Sequence, residues 1–256
     1  MNAQQTDSDI VGTDTVGTNT AGKVGDDIVA GNGRWTFGGQ VSKTFDSHVS
    51  RSVPLYNEGH DLVAKLSDFY LPPGSTCYEL GCSTGALTEI IARRNADRDV
   101  RIVGIDVVPE MADRARERCA DLPNVEIHAG DLTEIELEPC DLVVSYYTLQ
   151  FVHPRHRQAI FDRIYEALNW GGAFVLFEKV RAPDARFQDI ATALYTDYKI
   201  DQGFDTEEIV GKTRSLKGVL EPFSTQGNLD LFHRAGFVDV TTMMKYVCFE
   251  GFLAIK

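Results

Sequence analysis

Cys77-Tyr78-Glu79-Leu80-Gly81-Cys82-Ser83-Thr84-Gly85 is the stretch whose reading decides the fold. Tyr78 to Leu80 close a short apolar run that reads as a strand, and Leu87, Ile90 and Ile91 recur at helical spacing, so a helix begins near Thr84. The turn between them carries two glycines. Gly81 lets the chain reverse tightly, and Gly85 lets a helix or ligand approach bare backbone. The spacing is E-x-G-x-x-x-G, whereas a dinucleotide site uses G-x-G-x-x-G and seats a pyrophosphate on the helix N-terminus. Glu79, at the strand end, would repel phosphate and attract an ammonium group.

Outward from the turn, strand and helix signals alternate. Arg101–Ile105 is a second apolar run ending at Asp106, and Pro109 opens a helix bearing Met111, Ala115 and Cys119. Val125–His128 is a third strand that leads to Asp131 and Leu132. Cys140–Tyr146 is a fourth, a helix covers about 154–168, and Gly171-Gly172 opens a fifth strand through Phe177. Apolar strands alternating with helices predict a Rossmann-like α/β fold with a mostly parallel sheet covered on both faces. Val238–Met244 and Tyr246–Ile255 leave no room for a crossover, so they predict a C-terminal antiparallel hairpin and seven strands in all.

Before the core lies a helix with Leu62, Val63, Leu66 and Phe69 on one face, preceded by a break at Val53-Pro54. Residues 1–33 are rich in Asp, Thr, Gly and Asn and read as a disordered tail, leaving 34–256 as the folded domain. Within it, 183–222 reads as a helical insertion or lid, with Phe187, Ile190, Leu194 and Tyr198 spaced as one face.

Glu79, Asp106 and Asp131 close three successive strands, and ligands of such sheets bind at those ends. Asp106, 25 positions past Gly81, is placed to grip ribose hydroxyls. Asp131 can accept an adenine amino group while the Leu132 N–H meets a ring nitrogen, and Val107 and Met111 can sandwich the base. With an ammonium for Glu79, the set suits S-adenosyl-L-methionine (SAM), which is cationic and lacks phosphate. Net charge of −13 in 256 residues disfavours direct nucleic-acid binding. No apolar run of about eighteen residues implies a membrane span. Five scattered cysteines without C-x-x-C suit reduced thiols and a cytoplasmic setting, with no metal site. His153 and His156 read as solvated residues at a helix start.

W-T-F at Trp35–Phe37, R-S-V-P-x-Y at Arg51–Tyr56, G-C-S-x-G-A at Gly81–Ala86, T-L-Q-F at Thr148–Phe151, N-x-G-G at Asn169–Gly172 and R-S at Arg214-Ser215 carry a family resemblance. The chain resembles class I SAM-dependent methyltransferases from about Trp35 to Lys256, and within them the carboxy-S-adenosyl-L-methionine synthases. That family makes its product from SAM and prephenate, for tRNA wobble-uridine modification, and forms homodimers. The resemblance implies cofactor contacts from Tyr56, Gly81, Cys82, Ser83, Asp106, Val107, Asp131 and Leu132. It also implies a carboxylate clamp at Arg214, which a partner subunit can lend. Tyr146 stands where the family carries asparagine, and Val107 where it commonly carries a polar residue. A tyrosine there would narrow the space beside the sulfonium and offer the cation its π face.

The leading expectation is therefore methyl transfer from SAM to a small, carboxylate-bearing molecule, with Arg214, Tyr56 and Tyr146 at the reacting end and Glu79, Gly81, Cys82, Ser83, Gly85, Asp106, Val107, Asp131 and Leu132 around the cofactor. The alternatives are carboxy-SAM synthesis and a non-catalytic SAM-binding subunit.

Overall fold

The computed structural model describes residues 21–26 and 28–256. An N-terminal pair of short strands, β1 (Gly22–Lys23) and β2 (Val29–Ala30), precedes helices α1 (Gln40–Ser52) and α2 (Tyr56–Tyr70). The central alternation follows: β3 (Thr76–Leu80), α3 (Ala86–Arg94), β4 (Arg101–Asp106), α4 (Pro109–Arg118), β5 (Val125–Ala129), β6 (Cys140–Tyr146), α5 (Pro154–Ala167) and β7 (Leu168–Lys179). Helices α6 (Ala185–Asp201), α7 (Thr206–Ser215) and α8 (Thr225–Ala235) come next, then β8 (Asp239–Tyr246) and β9 (Phe249–Ile255).

The large sheet has seven strands in the order β5-β4-β3-β6-β7-β9-β8. Its first five are parallel, and β9 pairs antiparallel with both β7 and β8. The chain winds from β3 outward to β5 and then returns to β6 on the other side of β3, so the order reverses between β3 and β6. Their carboxyl ends therefore frame the crevice.

Successive strand residues face opposite sides. Cys77, Leu142, Val144 and Val175 pack with Val63 and Leu66 of α2 and Leu87 and Ile91 of α3. Tyr78, Val143, Phe174 and Leu176 pack with Ile160, Phe161 and Ile164 of α5 and Phe232 of α8. Two apolar faces explain why these strands read as unbroken hydrophobic runs.

The tail boundary at residue 33 requires correction for its described part; residues 1–20 lie outside the described residues. Val24 and Ile28 are buried with Trp35 and Val41, and Leu216 packs against them. Backbone N–H groups of Gly33 and Trp35 donate to the carbonyls of Arg214 and Ser215 at 3.0 and 3.1 Å. A few apolar residues in polar surroundings carry no period, and α7, almost two hundred positions later, supplies what they pack on. The break at Val53 is present: Val53 is extended and caps α1, and α2 starts at Tyr56.

Candidate active site

The glycine turn after β3 is tightly wound. Gly81, Ser83 and Gly85 all have positive φ, at 80°, 50° and 77°. A Cβ on Gly81 would collide with the Thr148 side chain, and one on Gly85 would lie 3.0 Å from the Ala115 Cα of α4. Both glycines thus serve close approach, one to the segment after β6 and one to a neighbouring helix.

The turn is held by Asp106, whose two carboxylate oxygens accept the N–H groups of Ser83 at 2.8 Å and Val108 at 2.9 Å. Asp106 is largely buried, and burial raises its carboxyl above the usual aspartate range against the pull of those N–H donors. Asp131 is exposed; it accepts the Thr133 N–H, and this bond holds its carboxyl low.

A cavity of about 380 Å³ opens at these strand ends. The structure brings Tyr56, Gly81, Ser83, Asp106, Val107, Asp131, Leu132 and Tyr146 to its wall. Met111, from the first turn of α4, joins them. The ionisable acids of the wall are Asp106 and Asp131, and no lysine or arginine lines it among the described residues. Two carboxylates, apolar side chains for a flat base and no cation to hold phosphate fit SAM in chemistry and shape.

Four expected residues stand elsewhere. Glu79 is 3% exposed and lies behind the turn, its carboxyl accepting the Thr88 hydroxyl of α3. Burial pushes its carboxyl up to about 8, with nearby Asp106 adding to the rise and the Thr88 bond opposing it. It shares with Cys77 the face of β3 that carries the tyrosine cluster, and its charge is felt at Tyr56, but its carboxyl is taken up by Thr88 and does not line the cavity. Cys82 is buried, and a Cβ on Gly104 would meet its Sγ at 3.1 Å; the thiol sits between β3 and β4. Gly85 acts through α4. Arg214 lies exposed on α7 and lines no described cavity of its own chain.

The reacting end is aromatic. The Tyr146 hydroxyl donates to the Tyr56 carbonyl at 2.7 Å, tying β6 to the start of α2. A Cβ on Gly59 would collide with that hydroxyl, so Gly59 is what lets a tyrosine fit at 146. Tyr147, which sequence reasoning passed over, adopts φ 59°, lines the cavity, and has a buried hydroxyl with no partner among the described residues. Backbone strain beside a cleft is the signal that could have marked it, and that signal exists only in three dimensions. His60 packs against Tyr56 and Tyr146 with ring centroids 4.5 and 4.7 Å away, and burial lowers it to about 4, so it is neutral.

The T-L-Q-F motif is a brace. Thr148 abuts Gly81, while the Gln150 side chain donates to the Tyr147 carbonyl at 3.0 Å and accepts the Lys179 N–H at 2.8 Å. His153 and His156 reach the cavity wall near Asp131. No group of three metal-ligating side chains occurs among the described residues. Phe37, Phe45 and Val49, ahead of and within α1, close the cavity over Phe151.

Residues 78–172 match the methyltransferase domain model. The chain is similar to the carboxy-S-adenosyl-L-methionine synthase of Staphylococcus epidermidis, at 34% identity over 87% of this chain and 97% of that protein. It is similar to the enzyme of the same name from Escherichia coli, at 35% identity over 89% of this chain and 94% of that protein. Among solved structures, human N-acetylserotonin methyltransferase in complex with SAM aligns at TM-score 0.56 and 19% identity, covering 85% of this chain and 55% of that one. An O-methyltransferase family protein from Burkholderia thailandensis aligns at TM-score 0.61 and 18% identity, covering 85% and 60%. The fold is that of the Rossmann-like SAM methyltransferases, the protein is a SAM-dependent enzyme, and the chain belongs to the carboxy-S-adenosyl-L-methionine synthase family.

Proposed function

We propose that this enzyme transfers the methyl group of SAM to a small carboxylate-bearing acceptor. The observation that carries the reading is a cavity with two strand-end aspartates and no lysine or arginine, closed by Tyr56, Tyr146 and Tyr147. SAM supplies an already activated methyl group, so the protein need only hold, align and exclude water. Asp106 would take the ribose hydroxyls, Asp131 and the Leu132 N–H the adenine edge, and Val107 and Met111 its faces. Burial keeps all three tyrosines protonated, so their rings meet the sulfonium as neutral π faces. Tyr146, with its hydroxyl committed to Tyr56, fills space that a carboxylate on the transferred carbon would need.

Carboxy-SAM synthesis from SAM and prephenate is the second reading. Relatives with that name, 33–35% identical over 87–89% of this chain, favour it. Purified protein incubated with SAM, with SAM plus prephenate, and with SAM plus a small-molecule cell extract separates the two by mass spectrometry. S-adenosylhomocysteine formed with extract alone supports methyl transfer; carboxylated SAM formed with prephenate overturns it.

We further infer a homodimer. Phe187, Ile190 and Leu194 on α6 are 55%, 57% and 49% exposed, an apolar face that the single chain leaves open. In such a pair Arg214 could serve the partner's cavity. The acidic surface argues against direct nucleic-acid contact. Five buried free thiols suit a reducing compartment, and we assign the enzyme to the cytoplasm.

A further inference from the structure

A second cavity, of about 320 Å³, lies between the N-terminal segment and helices α6 and α7. It shares Phe37, Phe45, Val49 and Phe151 with the aspartate-lined cavity, so the two adjoin along those side chains. Their charges are opposite. Lys179, Arg181, Lys199, Lys212 and Lys217 line the second, against Glu208 and Glu221. Glu208 is engaged in the cap of α7, where its carboxylate accepts the Asp205 N–H at 2.9 Å. In a chain with net charge −13, this concentration of cations is out of keeping with the rest of the surface.

Three of the lysines are held inward. Lys199 is 8% exposed, and its Nζ lies 4.6 Å from the centroid of the Tyr195 ring, with the Lys179 Nζ 4.2 Å from the same centroid. The Lys212 Nζ is 3.0 Å from His48 Nε2 and stands over the Trp35 ring. Asp26, bound to His48 Nδ1 at 2.6 Å and also paired with Arg51, fixes that imidazole. None of the three lysines has a carboxylate within 4.0 Å among the described residues. Trp35 adds a buried indole N–H with no partner among the described residues. Unpaired cations and an unpaired donor in a partly desolvated pocket leave electrostatic demand that an anion would meet.

We propose that this second cavity is the acceptor site, where Lys179, Lys199 and Lys212 hold the carboxylate of a small molecule whose apolar body lies among Trp35, Phe37 and Phe204. The proposal rests on the functional reading above and replaces Arg214 of the same chain as the anion handle. The lowered basicity of the set agrees with it: burial brings Lys199 down to about 8 and lowers Lys179 and Lys212 as well. A bound carboxylate would reverse that.

The chain has two tryptophans, and Trp170 is 88% exposed, so Trp170→Phe leaves Trp35 as the sole indole reporter. The probes are benzoate and its neutral isostere benzamide, titrated into the full chain while Trp35 fluorescence is followed. Benzoate should bind at least tenfold more tightly than benzamide. Lys199→Met and Lys212→Met should each weaken benzoate at least tenfold and leave benzamide unchanged. S-adenosylhomocysteine binding, read by calorimetry, should persist in both variants and shows that they are folded; Lys179→Met replaces any variant that fails this check. Equal affinity for the two probes, no response to benzoate, or benzoate binding indifferent to the lysine changes overturns the proposal. Absence of S-adenosylhomocysteine binding in the parent would instead overturn the functional reading, leaving the benzoate comparison to decide this site.

Discussion

Glu79→Gln isolates one buried carboxyl. The side chain is 3% exposed and accepts a hydrogen bond from Thr88, which glutamine can also accept, so the change removes ionisation and little else. Burial raises the carboxyl from an ordinary 4.5 to about 8. Between those values the folded protein keeps a proton that the unfolded chain has lost. The contribution of this group to stability is therefore complete below about pH 4.5 and is lost as pH rises toward 8. The slope from this one group is about 1.4 kcal/mol per pH unit, and the whole effect is about 3 to 5 kcal/mol. Glu178, also buried and raised to about 8, contributes its own slope to both proteins and cancels in the comparison. The assay is urea unfolding of ligand-free parent and variant at intervals from pH 5 to 9. The variant should be flatter by about 1 kcal/mol per pH unit over the middle of that range, and more stable than the parent at pH 8.5. Parallel pH profiles would refute the reasoning, since they would mean that Glu79 ionises as freely in the fold as outside it.

Asp106→Ala removes a carboxylate that orders the turn and faces the cavity; S-adenosylhomocysteine affinity measured by calorimetry should fall about a hundredfold, as expected for two lost charge-assisted hydrogen bonds. Tyr146→Phe breaks the 2.7 Å bond to the Tyr56 carbonyl and should lower stability by about 1 kcal/mol, or about 2–4 °C in Tm, with cofactor affinity within about twofold of the parent. Arg214→Ala should leave Tm and S-adenosylhomocysteine binding unchanged, because the side chain is exposed; turnover reduced about tenfold or more would assign Arg214 to a partner's site, and unchanged turnover would remove it from the chemistry.

The sheet was legible because burial on both faces demands continuous apolar strands, and Tyr78–Leu80, Arg101–Ile105 and Cys140–Tyr146 show that pattern locally. Asp106 was legible for a related reason: a strand end, a glycine turn and a helix start fix one another within about thirty residues. Glu79 was legible as the acid at the end of its strand, but not as a buried group bonded to a helix. Its neighbours in sequence do not reveal that the pleat turns it toward Thr88. Tyr147, with its left-handed backbone, left no mark in the residue pattern.

What the sequence determined by itself is the α/β alternation and the turn after β3, since each depends on residues close together in the chain. What only the tertiary structure decided is the second, basic cavity and the fold of the N-terminal segment. Lys179, Lys199 and Lys212 sit on β7, α6 and α7, and Trp35 lies far upstream, before α1. Their charges and unpaired donor acquire a common meaning only when α6, α7 and the segment before α1 pack together and exclude water around them.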